Sequence, residues 1–182
     1  MEENKFYHIY NRGNNKDLIF FEDENYRFFL ERFNKYLRNF VNLYAYCLMP
    51  NHFHFLISLK SNSDIHTDTD IEIKVDKGFK NMFISYAKSI NKRYHRTGSL
   101  FQNSYKKKEI NRELYFKNLV QYIHQNPVSA SMCKECSDWK YSSYNTIIGL
   151  SETTIKRLYI LNEFGGKENF VYVHKTLVKN EI

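Results

Sequence analysis

Glycine and proline are scarce, 6 and 2 in 182 residues. That excludes a collagen-like or low-complexity chain. Cysteine is scarce as well, and Cys47, Cys133 and Cys136 make an odd set without framework spacing, so a secreted disulfide scaffold is excluded. Cys133-Lys134-Glu135-Cys136 is a lone C-x-x-C; a zinc site there needs two further ligands, none is obvious nearby, and the pair reads as ordinary residues. Long apolar runs are missing. Leu43–Met49, the longest, has seven residues, where a bilayer span needs roughly 20. The opening Met1-Glu2-Glu3-Asn4-Lys5 is polar and acidic, unlike a signal peptide. A soluble, cytoplasmic protein with no membrane partner is expected. Acid is also in short supply: 20 Asp and Glu stand against 27 Lys and Arg, a net charge of +7, which favours a polyanionic partner. The 26% charged share is ordinary, which excludes a disordered polyelectrolyte. The length favours one domain, long enough to bury a core without staples. Abundance lies in the aromatics, with 15 Tyr and 15 Phe.

Phe6–Tyr10 reads as a strand running into the polar turn Asn11-Arg12-Gly13-Asn14-Asn15. From Asp23, a possible cap, apolar residues recur at Tyr26, Phe29, Leu30, Phe33, Leu37 and Phe40, the period of an amphipathic helix. Val41–Met49 and His52–Leu59 are β-prone and flank a Pro50-Asn51 corner, a hairpin pattern. Residues 61–76 hold five acids and one base and read as a solvated, flexible acidic insertion; without them the chain carries 26 basic and 15 acidic residues. Phe79, Phe83, Tyr86, Ile90 and Tyr94 mark a second helix, and Lys106–Ile110 a fourth strand. A third helix follows, capped by Asn111, with Phe116, Leu119, Val120 and Ile123 on its apolar face and its end at Pro127. The order predicts an α+β fold: a ferredoxin-like, split βαβ antiparallel sheet with helices on one face and the other face free for a site. One domain is expected over 1–150, with 151–182 a helical extension of it.

His52-Phe53-His54 is the sharpest chemical feature. Strand alternation puts both imidazoles on one face, where they could share a divalent metal, and turns Phe53, Phe55 and Ile57 to the core. The plain alternative is two histidines on a half-exposed strand. Tyr122 and Asn126 are four residues apart and share a helix face if the last turn holds, although Pro127 disfavours the helical conformation at Asn126. With 15 tyrosines in the chain, a packed aromatic is the plain reading of Tyr122. From Lys88 to Lys108 stand Lys88, Lys92, Arg93, Arg96, Lys106, Lys107 and Lys108 with no acid, interleaved with Tyr94, Phe101 and Tyr105. Positive charge between aromatic faces suits single-stranded nucleic acid, with Arg12 a helper; a solvated basic surface is the alternative.

Together these segments resemble the single-tyrosine HUH transposases of bacterial insertion sequences, closest to the REP-associated tyrosine transposase branch. The resemblance rests on Tyr7-His8-Ile9-Tyr10-Asn11-Arg12-Gly13, Tyr46–Phe55, Gly98–Gln102, Tyr122–Val128 and Trp139–Tyr144, in family order from about Tyr7 to Tyr144. Asn103-Ser104 stand where relatives usually carry Gly-Arg before an aromatic. The resemblance implies a ferredoxin-like fold with an HUH site on the sheet and a single-stranded DNA substrate carrying a hairpin or palindromic repeat. It implies His52, His54 and Asn126 as ligands of Mg²⁺ or Mn²⁺, and Tyr122 as a nucleophile forming a 5′-phosphotyrosine. A monomer is expected over a dimer that exchanges the tyrosine helix. The alternative is a domesticated or inactive nucleic-acid-binding protein of the same fold.

Overall fold

The computed structural model describes residues 1–2, 5–61, 70–110 and 113–176. Four strands form one antiparallel sheet: β1 (Phe6–Arg12), β2 (Val41–Met49), β3 (His52–Leu59) and β4 (Lys106–Ile110). They lie in the order β2-β3-β1-β4, with both central strands antiparallel to their neighbours. Helix α1 (Asp23–Leu37) joins β1 to β2, and α2 (Ile71–Arg93) lies between β3 and β4, which is the ferredoxin-like split βαβ arrangement. Pro50-Asn51 forms the tight β2–β3 corner, leaving Met49 opposite His52.

Residues opposite one another in an antiparallel pair share a face of the sheet. Arg12 opposes His52, Tyr10 opposes His54 and also Lys106, and His8 opposes Lys108. These residues therefore share one face. Phe53 and Phe55 occupy the other, where α1 and α2 cover them: Phe29 lies 5.0 Å from Phe53, Phe33 lies 4.6 Å from Phe55, and Phe83 lies 5.5 Å from Phe53, ring centre to ring centre. The two helices approach closely at Gly78, where a Cβ would stand 2.8 Å from the Tyr36 carbonyl oxygen.

The histidine face is partly covered as well. Helix α3 (Glu113–Ser129) lies across β2 and β3 on that side, seating Phe116 against Phe6 (4.7 Å) and Tyr44 (5.7 Å). Near-continuous burial along β2, rather than alternation, is the mark of a strand covered on both faces. Beyond α3 come three short helices, α4 (Tyr144–Ile148), α5 (Arg157–Glu163) and α6 (Lys167–His174). The intervening chain protects the outer edge of β2. Leu48 N–H donates to Tyr141 O, Ser143 N–H to Tyr46 O and Lys156 N–H to Leu43 O, each at 2.9 Å.

Several expectations change. Residues 62–69 lie outside the described residues, but 71–76 are not a loose connection: they open α2, with Ile71 and Val75 buried and the Asp70 side chain capping Glu72 N–H at 2.8 Å. The acids of this turn have partners, since Asp76 accepts from Tyr105 Oη at 2.5 Å and Glu72 from Lys107 Nζ at 3.3 Å. Asn111, the expected cap of α3, also lies outside the described residues. Pro127 does not end α3, which continues to Ser129; Ala130 N–H still reaches Asn126 O at 3.0 Å. Asp23 caps nothing and instead accepts from Lys140 and Tyr141.

Candidate metal and tyrosine site

The end of β3 holds His52 and His54 with ring centres 5.1 Å apart. Orientation can be read outward from backbone carbonyls. Asn51 Nδ2 donates to Lys16 O at 3.2 Å, so its Oδ1, 2.7 Å from His52 Nδ1, accepts that nitrogen's hydrogen. The lone pair of His52 is then on Nε2. Asn126 Nδ2 donates to Tyr122 O at 2.8 Å, which turns its Oδ1 toward His52 Nε2 at 3.4 Å. Two acceptor atoms thus face each other with no hydrogen between them, as they would around a cation. His54 Nδ1 lies 2.9 Å from His8 Nε2, and His54 Nε2 is buried with no hydrogen-bond partner.

Burial holds both imidazoles neutral. Burial lowers His52 most; the Asn126 amide oxygen, which would accept from the protonated ring, opposes this, and the Arg12 charge adds to the lowering. His54 is pushed well below its usual value by burial first, then by His8 and His52. Burial and the neighbouring Lys108 bring His8 down to about 4. Neutral imidazole nitrogens and an amide oxygen are a donor set that fits a divalent metal ion. Among the described residues, no three of His, Cys, Asp and Glu gather into a metal cluster. The third donor atom beside the histidine pair is the amide oxygen of Asn126.

Tyr122 projects from α3 beside this pair, its ring 5.6 Å from that of His54 at a steep angle of 78°. Burial raises its phenol, while the Asn126 side chain and the Arg12 charge lower it. A cavity of about 280 Å³ brings together Tyr122, His52, His54, Arg12, Tyr10 and Lys106. Its phenol, imidazoles and cations suit a phosphodiester. The helix is fixed from behind. Buried Gln125 donates to His174 O at 3.0 Å, and His124 lies between Ser143 Oγ (2.7 Å) and His174 Nε2 (3.0 Å).

The basic stretch divides between two faces. Arg12, Lys106 and Lys108 lie on the site face, where Lys108 Nζ donates to Tyr115 Oη at 2.9 Å. Lys88 and Lys92 are exposed on α2, in the layer behind the sheet. Arg93 pairs with Glu22 (2.8 Å) and Glu24 (3.0 Å), and Arg96 lies 3.9 Å from Asp17. Lys107 opposes Ile9 and turns to Glu72 and Asp76. Tyr105 is not a free stacking platform: its ring packs on Phe79 and Phe83, at 5.1 and 5.6 Å. The strand period explains the departure of Lys107, since odd-numbered residues of β4 point away from the site.

Sequence reasoning missed His8 and Asn51. Each sits in a segment that carries the family likeness, but their link to His54 and His52 depends on strand register and side-chain geometry. Cys133 and Cys136 are free thiols, Cys136 buried. No helix among the described residues is long and apolar enough to cross a membrane.

Comparison with known proteins agrees with this fold. A Haemophilus influenzae protein named as a REP-associated tyrosine transposase is 26% identical over 103 residues, 56% of this chain; the chain spans just over half of that relative, 57%. A solved REP-associated tyrosine transposase bound to a REP hairpin superposes with a TM-score of 0.60 at 17% identity, over 81% of each chain, a likeness of fold. The family model for IS200-like transposases matches residues 3–126, more than half the chain and inclusive of His52, His54, Tyr122 and Asn126, and the chain belongs to that family.

Proposed function

We propose that this protein cuts and rejoins single-stranded DNA bearing a hairpin, with Tyr122 as nucleophile and His52, His54 and Asn126 as ligands of Mg²⁺ or Mn²⁺. One observation carries the reading: the buried, unpartnered Nε2 of His54 lies in the cluster where His52 Nε2 and Asn126 Oδ1 face each other, beside the Tyr122 ring. Bound there, the ion would withdraw charge from a non-bridging phosphate oxygen. Arg12 and Lys106, which line the same cavity, would neutralise the flanking phosphates. The Tyr122 oxygen attacks phosphorus, the bond to the 3′ oxygen breaks, and the phenol proton is lost as the 5′-phosphotyrosine forms. The 3′ oxygen takes up one proton from solvent, matching the one the phenol loses, and leaves as a free 3′-OH. The ester retains the energy of the cleaved bond, so the reverse attack rejoins strands without ATP. Family membership and the hairpin-bound structural neighbour support DNA as the substrate.

Tyr122→Phe tests the reading. It removes one oxygen and almost no volume, so thermal stability and hairpin binding should persist while cleavage and the covalent protein–DNA adduct both vanish. Adduct formation by Tyr122→Phe would assign the chemistry to another tyrosine. Cleavage without adduct would make water the nucleophile.

A further inference from the structure

We propose that His8 is a positioning residue for His54: its Nε2 accepts the Nδ1–H of His54, so that the lone pair of His54 lies on Nε2, inside the site. The inference rests on the metal reading above. It concerns a residue that does not line the cavity and cannot meet the substrate directly. His8 is buried, and its ring stacks on that of His54 with centres 5.1 Å apart and planes 26° from parallel.

Two imidazole nitrogens 2.9 Å apart share one hydrogen, so one ring donates and the other accepts. If His8 donated, neutral His54 would carry its own hydrogen on Nε2. That N–H would be buried without an acceptor and would point a positive edge into a site built for a cation. If His54 donates, its Nε2 offers a lone pair instead, which a metal can take up. The neighbouring ligand shows the same design without ambiguity. Asn51 Oδ1 holds His52 Nδ1–H, because the amide nitrogen of Asn51 is engaged by Lys16 O. Both histidines are thus gripped at Nδ1 and both present Nε2. Such outer partners fix ring orientation and tautomer and commonly change metal affinity about 10–100-fold.

The experiment has two parts. In the metal-free wild-type protein, ¹⁵N NMR of the imidazoles should show His54 protonated at Nδ1 with Nε2 bare; a hydrogen on Nε2 overturns the proposal. In calorimetric titration with Mn²⁺ alone, His8→Phe should weaken binding about 10–100-fold. His8→Gln, whose side-chain carbonyl can accept the same hydrogen, should restore most of that loss. Thermal melting confirms that each variant is folded, and the NMR result stands if His8→Phe is not. His52→Ala separates the two levels. If it too binds Mn²⁺ like wild type, the metal reading fails and His8 with it. If it loses Mn²⁺ while both His8 variants bind normally, the His8 assignment alone fails.

Discussion

At the scale of residues, the amide of Asn126 is divided between two partners, the Tyr122 carbonyl at 2.8 Å and His52 Nε2 at 3.4 Å. The first contact is local and half-buried, so Asn126→Ala should cost about 1 kcal/mol in urea unfolding. The second is chemical: the same variant should lose Mn²⁺ affinity and adduct yield far out of proportion to that small change. Wild-type Mn²⁺ affinity and adduct yield in Asn126→Ala would remove this residue from the site. A local period, two along a strand and four along a helix, made it legible that His52 and His54 share one face and Tyr122 and Asn126 another; that the two pairs belong to one site came only from the family resemblance. His8 and Asn51 were not legible. Their partners are 46 residues away in one case and adjacent in the other, and both links need the register or the rotamer. The warning sign at Pro127 also misleads, since a proline in the last turn of α3 leaves Asn126 helical.

Among the elements, β4 shows why a charge run is not a surface. Lys106 and Lys108 stand on the site face, whereas Lys107 is bound to the acids of α2. Exchange of Lys106 and Lys108 for Ala should weaken binding of a hairpin oligonucleotide with a single-stranded flank. It should also flatten the dependence of log affinity on log salt by about 0.7 for each lost single-strand phosphate contact. Lys88→Ala with Lys92→Ala, on the layer behind the sheet, should leave that slope unchanged. The reverse result would move the DNA path onto α2. The sequence revealed the four strands and the three long helices from periodicity, but not where α2 begins. Five acids in residues 61–76 suggested solvent, while Ile71, Val75 and Phe79 already kept helical spacing, and the acids that solvate a linker equally well cap and tether a helix.

Across the whole molecule, the chain beyond α3 returns to clamp the helix that carries Tyr122, and it does so through histidines that must stay neutral. Ser143 Oγ–H donates to His124 Nε2, His124 Nδ1–H to His174 Nε2, and His174 Nδ1–H to Phe170 O at 2.7 Å, a relay with every hydrogen placed. Burial lowers His174 to about 4, against a hydrogen bond to Phe170 that raises it; His124 is pushed well below the usual range by burial and by His174. The unfolded chain binds protons near pH 6.5, the folded one only near 4, so between those values the unfolded state holds more protons. Stability is therefore intact above pH 6.5 and declines as the pH falls toward 4. For His174 alone the loss by pH 5 is about 2 kcal/mol. His174→Gln keeps an acceptor for His124 but cannot charge. Urea unfolding at pH 7.5 and 5.0 should show the variant losing about 2 kcal/mol less than wild type over that interval. Equal losses in the two proteins would mean that His174 does not hold the tail by staying neutral, and that the clamp on α3 is apolar, through Phe170, whose ring lies 5.9 Å from that of His124.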